Sequence, residues 1–252
     1  MSKVVIYTAI AGSDSDDLRE VEKAPGVHYV CFTDQPFKSK AWDIRPFTFA
    51  DECPVLTAKY VRVFPHEYFP EFDLSVWLDG SLKPLPSIAG AAEKALARHD
   101  MALHEHSRCF DIYDELNLLL YLDRWPAEPL KRHFRRYEKE CVPKDKHWET
   151  GLLFRRHNAP LVIETMKTWW AEILKYRHFR DQVSFFYSAW KTGLKVNTLA
   201  GNLRRTPHAK FFHHKRQPPP PPSAPATKDK RRKITKADLK NKRTLMRYFR
   251  GA

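Results

Sequence analysis

The chain has 252 residues, 42% of them hydrophobic and 13% aromatic, enough for one sizeable core. Its formal charge of +14 is unevenly placed: residues 218–252 carry eleven Lys/Arg against two Asp, so +9 sits there and +5 on residues 1–217, which argues against nucleic-acid binding by the whole chain. Four scattered cysteines (Cys31, Cys53, Cys109, Cys141) give no CxxC or zinc spacing, and no apolar run approaches the ~18 residues of a membrane helix.

In chain order, Lys3–Ile10 reads as a first strand leading into Ala11-Gly12. It is too short, and too closely followed by the acidic stretch Ser13–Asp17, for a secretory leader, so free thiols in a cytoplasmic protein are expected. Val27–Phe32 is a second strand ending in Thr33-Asp34. Two short buried strands that each stop at polar residues suggest a parallel α/β start. No G-x-G-x-x-G follows the first strand, which excludes that kind of dinucleotide site. Pro54–Phe64 reads as a helix with Lys59 and Arg62 three apart on one face, either a solvated face or a phosphate contact.

Phe72–Ser81, FDLSVWLDGS, is the centre of the chain. Leu74–Leu78 has the continuous apolar character of a strand covered on both faces, and it stops abruptly at Asp79-Gly80-Ser81. Open α/β sheets place ligands at such carboxyl ends, and glycine allows a close approach to the main chain. Asp-Gly is equally a common turn dipeptide.

A helix over Ile88–Ala97 and a strand around Met101–Leu103 follow, then His104-Glu-His-Ser-Arg108, whose two histidines share one strand face, a spacing that fits a metal but more often marks simply hydrogen-bonded side chains. Ile112–Leu122 is a helix and Pro126–Glu140 a basic, exposed one. Trp148–Phe154 reads as a buried strand with Glu149 at its mouth. Asn158 is expected to cap a helix to about Tyr176, with Leu161, Ile163, Trp169, Trp170 and Ile173 among its apolar residues. Arg180-Asp181-Gln182 opens the helix Val183–Lys191, closed by Gly193, so Asp181 is a functional carboxylate or simply that helix's N-cap. Leu194–Leu199 is expected to be the last strand, before a cationic stretch with Arg204, Arg205, His208, Lys210, His213, His214 and Lys215. Pro218–Pro222 predicts polyproline II, and Ile234–Arg250 a basic helix or a disordered tail. The boundaries read as a domain over 1–217 and a Pro-rich linker and basic tail over 218–252.

The segments YTAIAG, FTD, WLDGS, HEHSRCFDIYDEL, WETGLLFRR and RDQVSFF, in this order over about residues 3–215, resemble the glycosyltransferase-like domain of plant mucilage and turgor-regulating proteins and their bacterial relatives. The resemblance implies an α/β, GT-A-like fold: a mixed, mainly parallel sheet flanked by helices, with a nucleotide-diphosphosugar donor at the strand carboxyl ends. It implies a hexosyltransferase acting on a glycan or a lipid-linked glycan acceptor. Asp79, Gly80 and Ser81 then resemble the D-x-D motif that holds Mn²⁺ or Mg²⁺ against the diphosphate. Ser81 stands where a second acid is usual and is the weaker ligand, which leaves metal dependence open; His213 or His214 is placed to complete the site. Lys59, Arg62, Arg204 and Lys215 are the alternative neutralising groups. By analogy of position Thr8, Ala9, Thr33 and Asp34 line the nucleotide pocket, with His106, Arg108 and Gln182 also on the donor side. Glu149 and Asp181 are the carboxylates for sugar and acceptor. Other readings are an inactive or binding module held on an anionic membrane, or less readily on nucleic acid, by residues 228–250, and a lipid or amide hydrolase, for which no G-x-S-x-G elbow is present. Held by the same basic residues, a cytoplasmic transferase working on lipid-linked glycans is expected to sit peripherally at the inner face of a membrane.

Overall fold

The computed structural model describes residues 2–12, 18–122, 127–177 and 180–212. Nine strands and seven helices are found among them: β1 Val4–Ile10, β2 Val27–Thr33, β3 Asp43–Arg45, α1 Pro54–Val63, α2 Pro65–Tyr68, β4 Leu74–Leu78, β5 Leu82–Pro84, α3 Ile88–Ala95, β6 Met101–Glu105, α4 Ile112–Leu122, α5 Ala127–Lys139, β7 Trp148–Arg155, α6 Pro160–Tyr176, α7 Gln182–Thr192, β8 Val196–Leu199 and β9 Ala209–Phe211. Seven strands form one sheet in the order β3-β2-β1-β4-β7-β6-β8. All neighbours are parallel except β7, which runs antiparallel to both β4 and β6. The expected mixed, mainly parallel sheet flanked by helices is therefore observed.

Alternation along the strands builds two cores, one on each face. Val5, Tyr7 and Ala9 of β1 and Trp77 of β4 join Leu56 and Val61 of α1, Trp169 of α6 and Phe185 of α7. Val4, Ile6, Leu74, Val76 and Leu78 pack instead on Ile88, Ala92 and Ala95 of α3. Central strands buried on both faces read as unbroken apolar runs, which is why β1 and β4 were visible in the sequence.

Three expectations are corrected. Asn158 does not cap α6: that position falls to Ala159, followed by Pro160, while the Asn158 amide donates to the Pro70 and Phe72 carbonyls. The buried stripe of α6 is Val162, Met166, Trp169, Ile173 and Tyr176, and Leu161 is exposed. The basic helix α5 is not solvated all round, since Leu130, His133 and Tyr137 are buried. The strand ending at Leu199 is not the last, because β9 pairs antiparallel with β5 inside the cationic stretch. The boundary at 217, the tail, His213, His214 and Lys215 lie outside the described residues. No helix among the described residues is long and apolar enough to cross a membrane.

Candidate functional site

The strand directions bring one set of ends together. β1, β2, β4 and β6 point their carboxyl ends the same way, and antiparallel β7 brings its amino end, with Glu149, to the same edge. Asp79 follows β4 directly. It lies two residues beyond Trp77 and so faces the α1 side. The Trp77 indole Nε1–H donates to Asp79 Oδ1 (2.9 Å), and the Asp79 N–H donates to the Gly151 carbonyl (2.9 Å). The Asp79 side chain is still 41% exposed. Gly151 makes this possible: a Cβ there would stand 2.8 Å from Asp79 Oδ2 and 2.7 Å from Leu203 Cδ2.

Helix α1, started by Pro54, carries Lys59 and Arg62 to this edge. Both meet Asp181: Lys59 Nζ is 2.7 Å from its Oδ2, and the Arg62 guanidinium contacts the same oxygen. Arg62 also faces Asp79 Oδ1 at 3.8 Å and lies over the Trp169 ring. Burial pushes Arg62 down to about 10, opposed by Asp79, and burial with the neighbouring Arg62 charge pushes Lys59 well below its ordinary value. Asp181 does precede α7, but its side chain makes no capping bond. Its carbonyl instead accepts from the Trp169 indole and from Ser184. Arg62 is buried and Lys59 largely so, and the two share a carboxylate rather than forming a solvated face. Below them, fully buried Arg155 donates to the Arg62 carbonyl (2.8 Å) and to the Tyr7 hydroxyl, which itself donates to that carbonyl (3.1 Å). A cation thus sits on the carboxyl end of α1, where the helix dipole favours it. Burial pushes Tyr7 up to about 12.

Glu149 is committed on both oxygens. Oε1 accepts from the Ser107 hydroxyl (2.8 Å) and Oε2 from the Leu203 N–H (2.8 Å), so it ties two rim loops together. Thr8 is buried within β1, and the Thr33 hydroxyl accepts from the Gln35 N–H. Exposed Asp34 accepts from the Gly12 N–H through both oxygens (3.1 and 3.0 Å), which joins the ends of β1 and β2. Ser81 is buried, and its carbonyl accepts from the Phe212 N–H at 2.8 Å. Arg108 is exposed, and its N–H donates to His106 Nδ1.

One group of potential metal ligands exists among the described residues: His106, Glu115 and His147. The histidine pair suggested by the sequence is not part of it, since His104 is buried opposite Glu149 in the sheet. The donor set of the group does not suit a metal. His106 Nδ1 already accepts from the Cys109 N–H (2.9 Å), so a metal on Nε2 would force a second proton donor against that N–H. Glu115 is held by His147 Nε2 through one oxygen and by Arg180 through the other, with the Gln182 amide at 3.2 Å. Burial would raise the Glu115 carboxyl, but Arg180 and His147 overrule it and hold it well below the usual carboxylate range. Sequence reasoning missed Glu115, His147, Arg155 and Arg180. Glu115 did leave a signal, because a carboxylate three residues after Ile112 and four before Leu119 falls in the apolar stripe of α4.

The edge thus combines a half-exposed aspartate with largely buried cations at the carboxyl ends of the strands of a mixed α/β sheet. The family model described as TOD1/MUCI70, glycosyltransferase-like domain, matches residues 44–205, and the chain belongs to that family. Among solved structures, it is similar to apo mouse xyloside xylosyltransferase 1, with 13% identity and a TM-score of 0.42, over 79% of this chain and 84% of that one. It is also similar to the apo WbbM bifunctional glycosyltransferase, with 14% identity and a TM-score of 0.44, over 79% of this chain and 38% of that one. No curated protein matches the chain.

Proposed function

We propose that the chain transfers a hexosyl group from a nucleoside-diphosphate donor to a glycan or lipid-linked glycan acceptor, at the edge marked by Asp79. The observation that carries this reading is half-exposed Asp79 beside Lys59 and Arg62, two largely buried cations held in place by Asp181. Breaking the bond from the anomeric carbon to the diphosphate places additional negative charge on the leaving oxygens. Cations already fixed in a partly dry site stabilise that charge without reorganising. Asp34, bound to Gly12 where β1 and β2 end, together with Thr8, Ala9 and Thr33, is assigned to the nucleoside side. His106, Arg108 and Gln182 border the opposite rim.

Divalent metal is compatible with these residues. Asp79 and Ser81 offer one carboxylate and one hydroxyl, a thin set that suits Mg²⁺ or Mn²⁺ only when substrate phosphates supply further oxygens. His213 or His214, which lie outside the described residues, would be the further ligand, as the family resemblance implies. The ion would neutralise charge on the diphosphate.

Asp181 is tied to two cations, and Glu149 is occupied by Ser107 and Leu203. Their roles are accordingly to hold the cations and the rim. The acceptor proton falls to Asp79 or to the leaving diphosphate. The test is turnover of a panel of nucleotide sugars, with and without Mn²⁺, alongside thermal shifts with the corresponding diphosphates. A ligand that binds only the native state at a hundredfold excess over Kd adds about 2.7 kcal/mol. A folded protein that consumes no member of the panel refutes the reading.

A further inference from the structure

Arg180 lies just ahead of Asp181, and two features separate it from Lys59 and Arg62. Its side chain is 36% exposed, against 11% and 5% for those two. It is also anchored by a different carboxylate, Glu115 of α4, which is 65 residues away in sequence and all but fully buried. Arg180 Nε donates to Glu115 Oε1 at 3.1 Å and the terminal nitrogen contacts the same oxygen. Two bonds from one guanidinium to one oxygen fix the plane of the group. Glu115 is itself held from the other side by His147 Nε2, and the Gln182 amide lies 3.2 and 3.3 Å from its two oxygens. The His106 ring stacks on His147 with centroids 4.8 Å apart, and the His106 N–H donates to the His147 carbonyl. A buried carboxylate gripped from three segments is an expensive feature, and it is retained here beneath a partly exposed cation. The charge on Arg180 reaches both Lys59 and Asp79, so it belongs electrostatically to the same edge.

We propose that Arg180 binds a diphosphate group at the Asp79 edge, with Glu115 and His147 as positioning residues that set its guanidinium plane. The proposal deepens the transferase reading and rests on it for the identity of the ligand. An arginine suits this role better than a lysine because its planar fork meets two phosphate oxygens at once. The same chemistry occurs in two sources: the diphosphate of a nucleotide donor and that of a lipid-linked acceptor.

Calorimetric titration of the full chain with inorganic pyrophosphate, uridine and guanosine diphosphates, and farnesyl diphosphate tests it. The variants are Arg180→Met, Arg180→Lys and Glu115→Gln, with thermal unfolding recorded for each. Arg180→Met is expected to weaken diphosphate binding at least tenfold, with Arg180→Lys recovering only part. Glu115→Gln is expected to weaken binding although the Arg180 side chain is still present, because its guanidinium plane is no longer fixed. If Glu115→Gln does not fold, the Arg180 pair carries the test. Preference for the nucleoside diphosphates assigns the donor, and preference for farnesyl diphosphate the acceptor. Unchanged affinity in folded Arg180→Met, or no diphosphate binding by the native chain, overturns the proposal. Arg180-dependent pyrophosphate binding without turnover of any nucleotide sugar would sink the transferase reading and leave this one standing. Turnover with Arg180-independent binding would do the reverse.

Discussion

Replacing Asp181 by asparagine separates two roles that the sequence left open. If Asp181 only capped α7, asparagine would serve equally well and stability would hardly change. The structure gives a different expectation, since the side chain makes no cap bond and instead bridges Lys59 and Arg62. Asparagine keeps the size and removes the charge, leaving two largely buried cations with Asp79, at 3.8 Å from Arg62, as the nearest remaining counter-charge. Breaking a buried pair by neutralising one partner costs about 3–5 kcal/mol. Arg62, at about 10, keeps its charge at neutral pH, and Asp79 remains as a partial counter-charge. The expected loss is therefore near the lower bound, about 3 kcal/mol, or roughly 6–12 °C in Tm for a chain of this size. Calorimetric unfolding of Asp181→Asn, Lys59→Met and the double variant gives the coupling directly, and about 1–3 kcal/mol is expected. A Tm for Asp181→Asn within 2 °C of the parent would refute the bridging argument and restore the cap.

Asp79→Ala should fold and lose transfer by about 10²–10³-fold, comparable to one preorganised electrostatic contact, as measured by single-turnover kinetics. Gly151→Ala should cost no more than about 1–3 kcal/mol of stability, because the atoms it meets are ends of flexible side chains, yet should lower kcat at least tenfold by displacing Asp79. His157 is buried, donates from Nε2 to the Phe69 carbonyl, and is pushed down to about 4 by burial. The unfolded chain then binds more protons between about pH 6.5 and 4, so this contribution is complete above pH 6.5 and is lost as pH falls, up to about 3 kcal/mol. The stability gap between the native chain and His157→Gln should accordingly narrow from pH 7 to pH 4.5 in urea titrations. Co-sedimentation with anionic but not neutral vesicles at about 0.15 M salt is expected for the full chain and not for residues 1–217, since each Lys/Arg near such a surface contributes about 1 kcal/mol.

What could be read from the sequence follows the range of the forces involved. β4 has the extent expected, Leu74–Leu78, and α4 has both expected ends, because burial on two faces and a regular apolar stripe are local signals. β3, β5 and β9 have three residues each, too few for any periodicity, and depend on partners elsewhere in the chain. The reversal of β7 between two parallel blocks leaves no mark in its composition. At the site, Lys59 and Arg62 could be placed on one helix face, and Asp79 at a strand end. Their shared partner could not be identified, since Asp181 lies beyond five further helices and reaches them only through the packing of α1 against α6 and of α6 against α7. The Glu115–Arg180–His147 group is wholly non-local, and only its misplaced carboxylate was visible.

The charge arrangement follows one rule throughout the edge. Each cation is matched to a buried carboxylate: Lys59 and Arg62 to Asp181, Arg180 to Glu115. Such pairs contribute little net stability, because desolvation offsets most of the attraction. They do fix cations in space before any substrate arrives, which is what charge stabilisation in a transition state requires. Asp79 is the exception, with a side chain that stays partly exposed and is oriented by the neutral Trp77 indole. Under the transferase function proposed above, a carboxylate left partly in solvent among cations that are already matched would meet something positive or protic brought by the substrate, either a metal ion carried with a diphosphate or an acceptor hydroxyl. Asp79→Asn separates these two: it would abolish metal-dependent stimulation in the first case, and in the second would lower kcat while leaving the affinity for the donor unchanged.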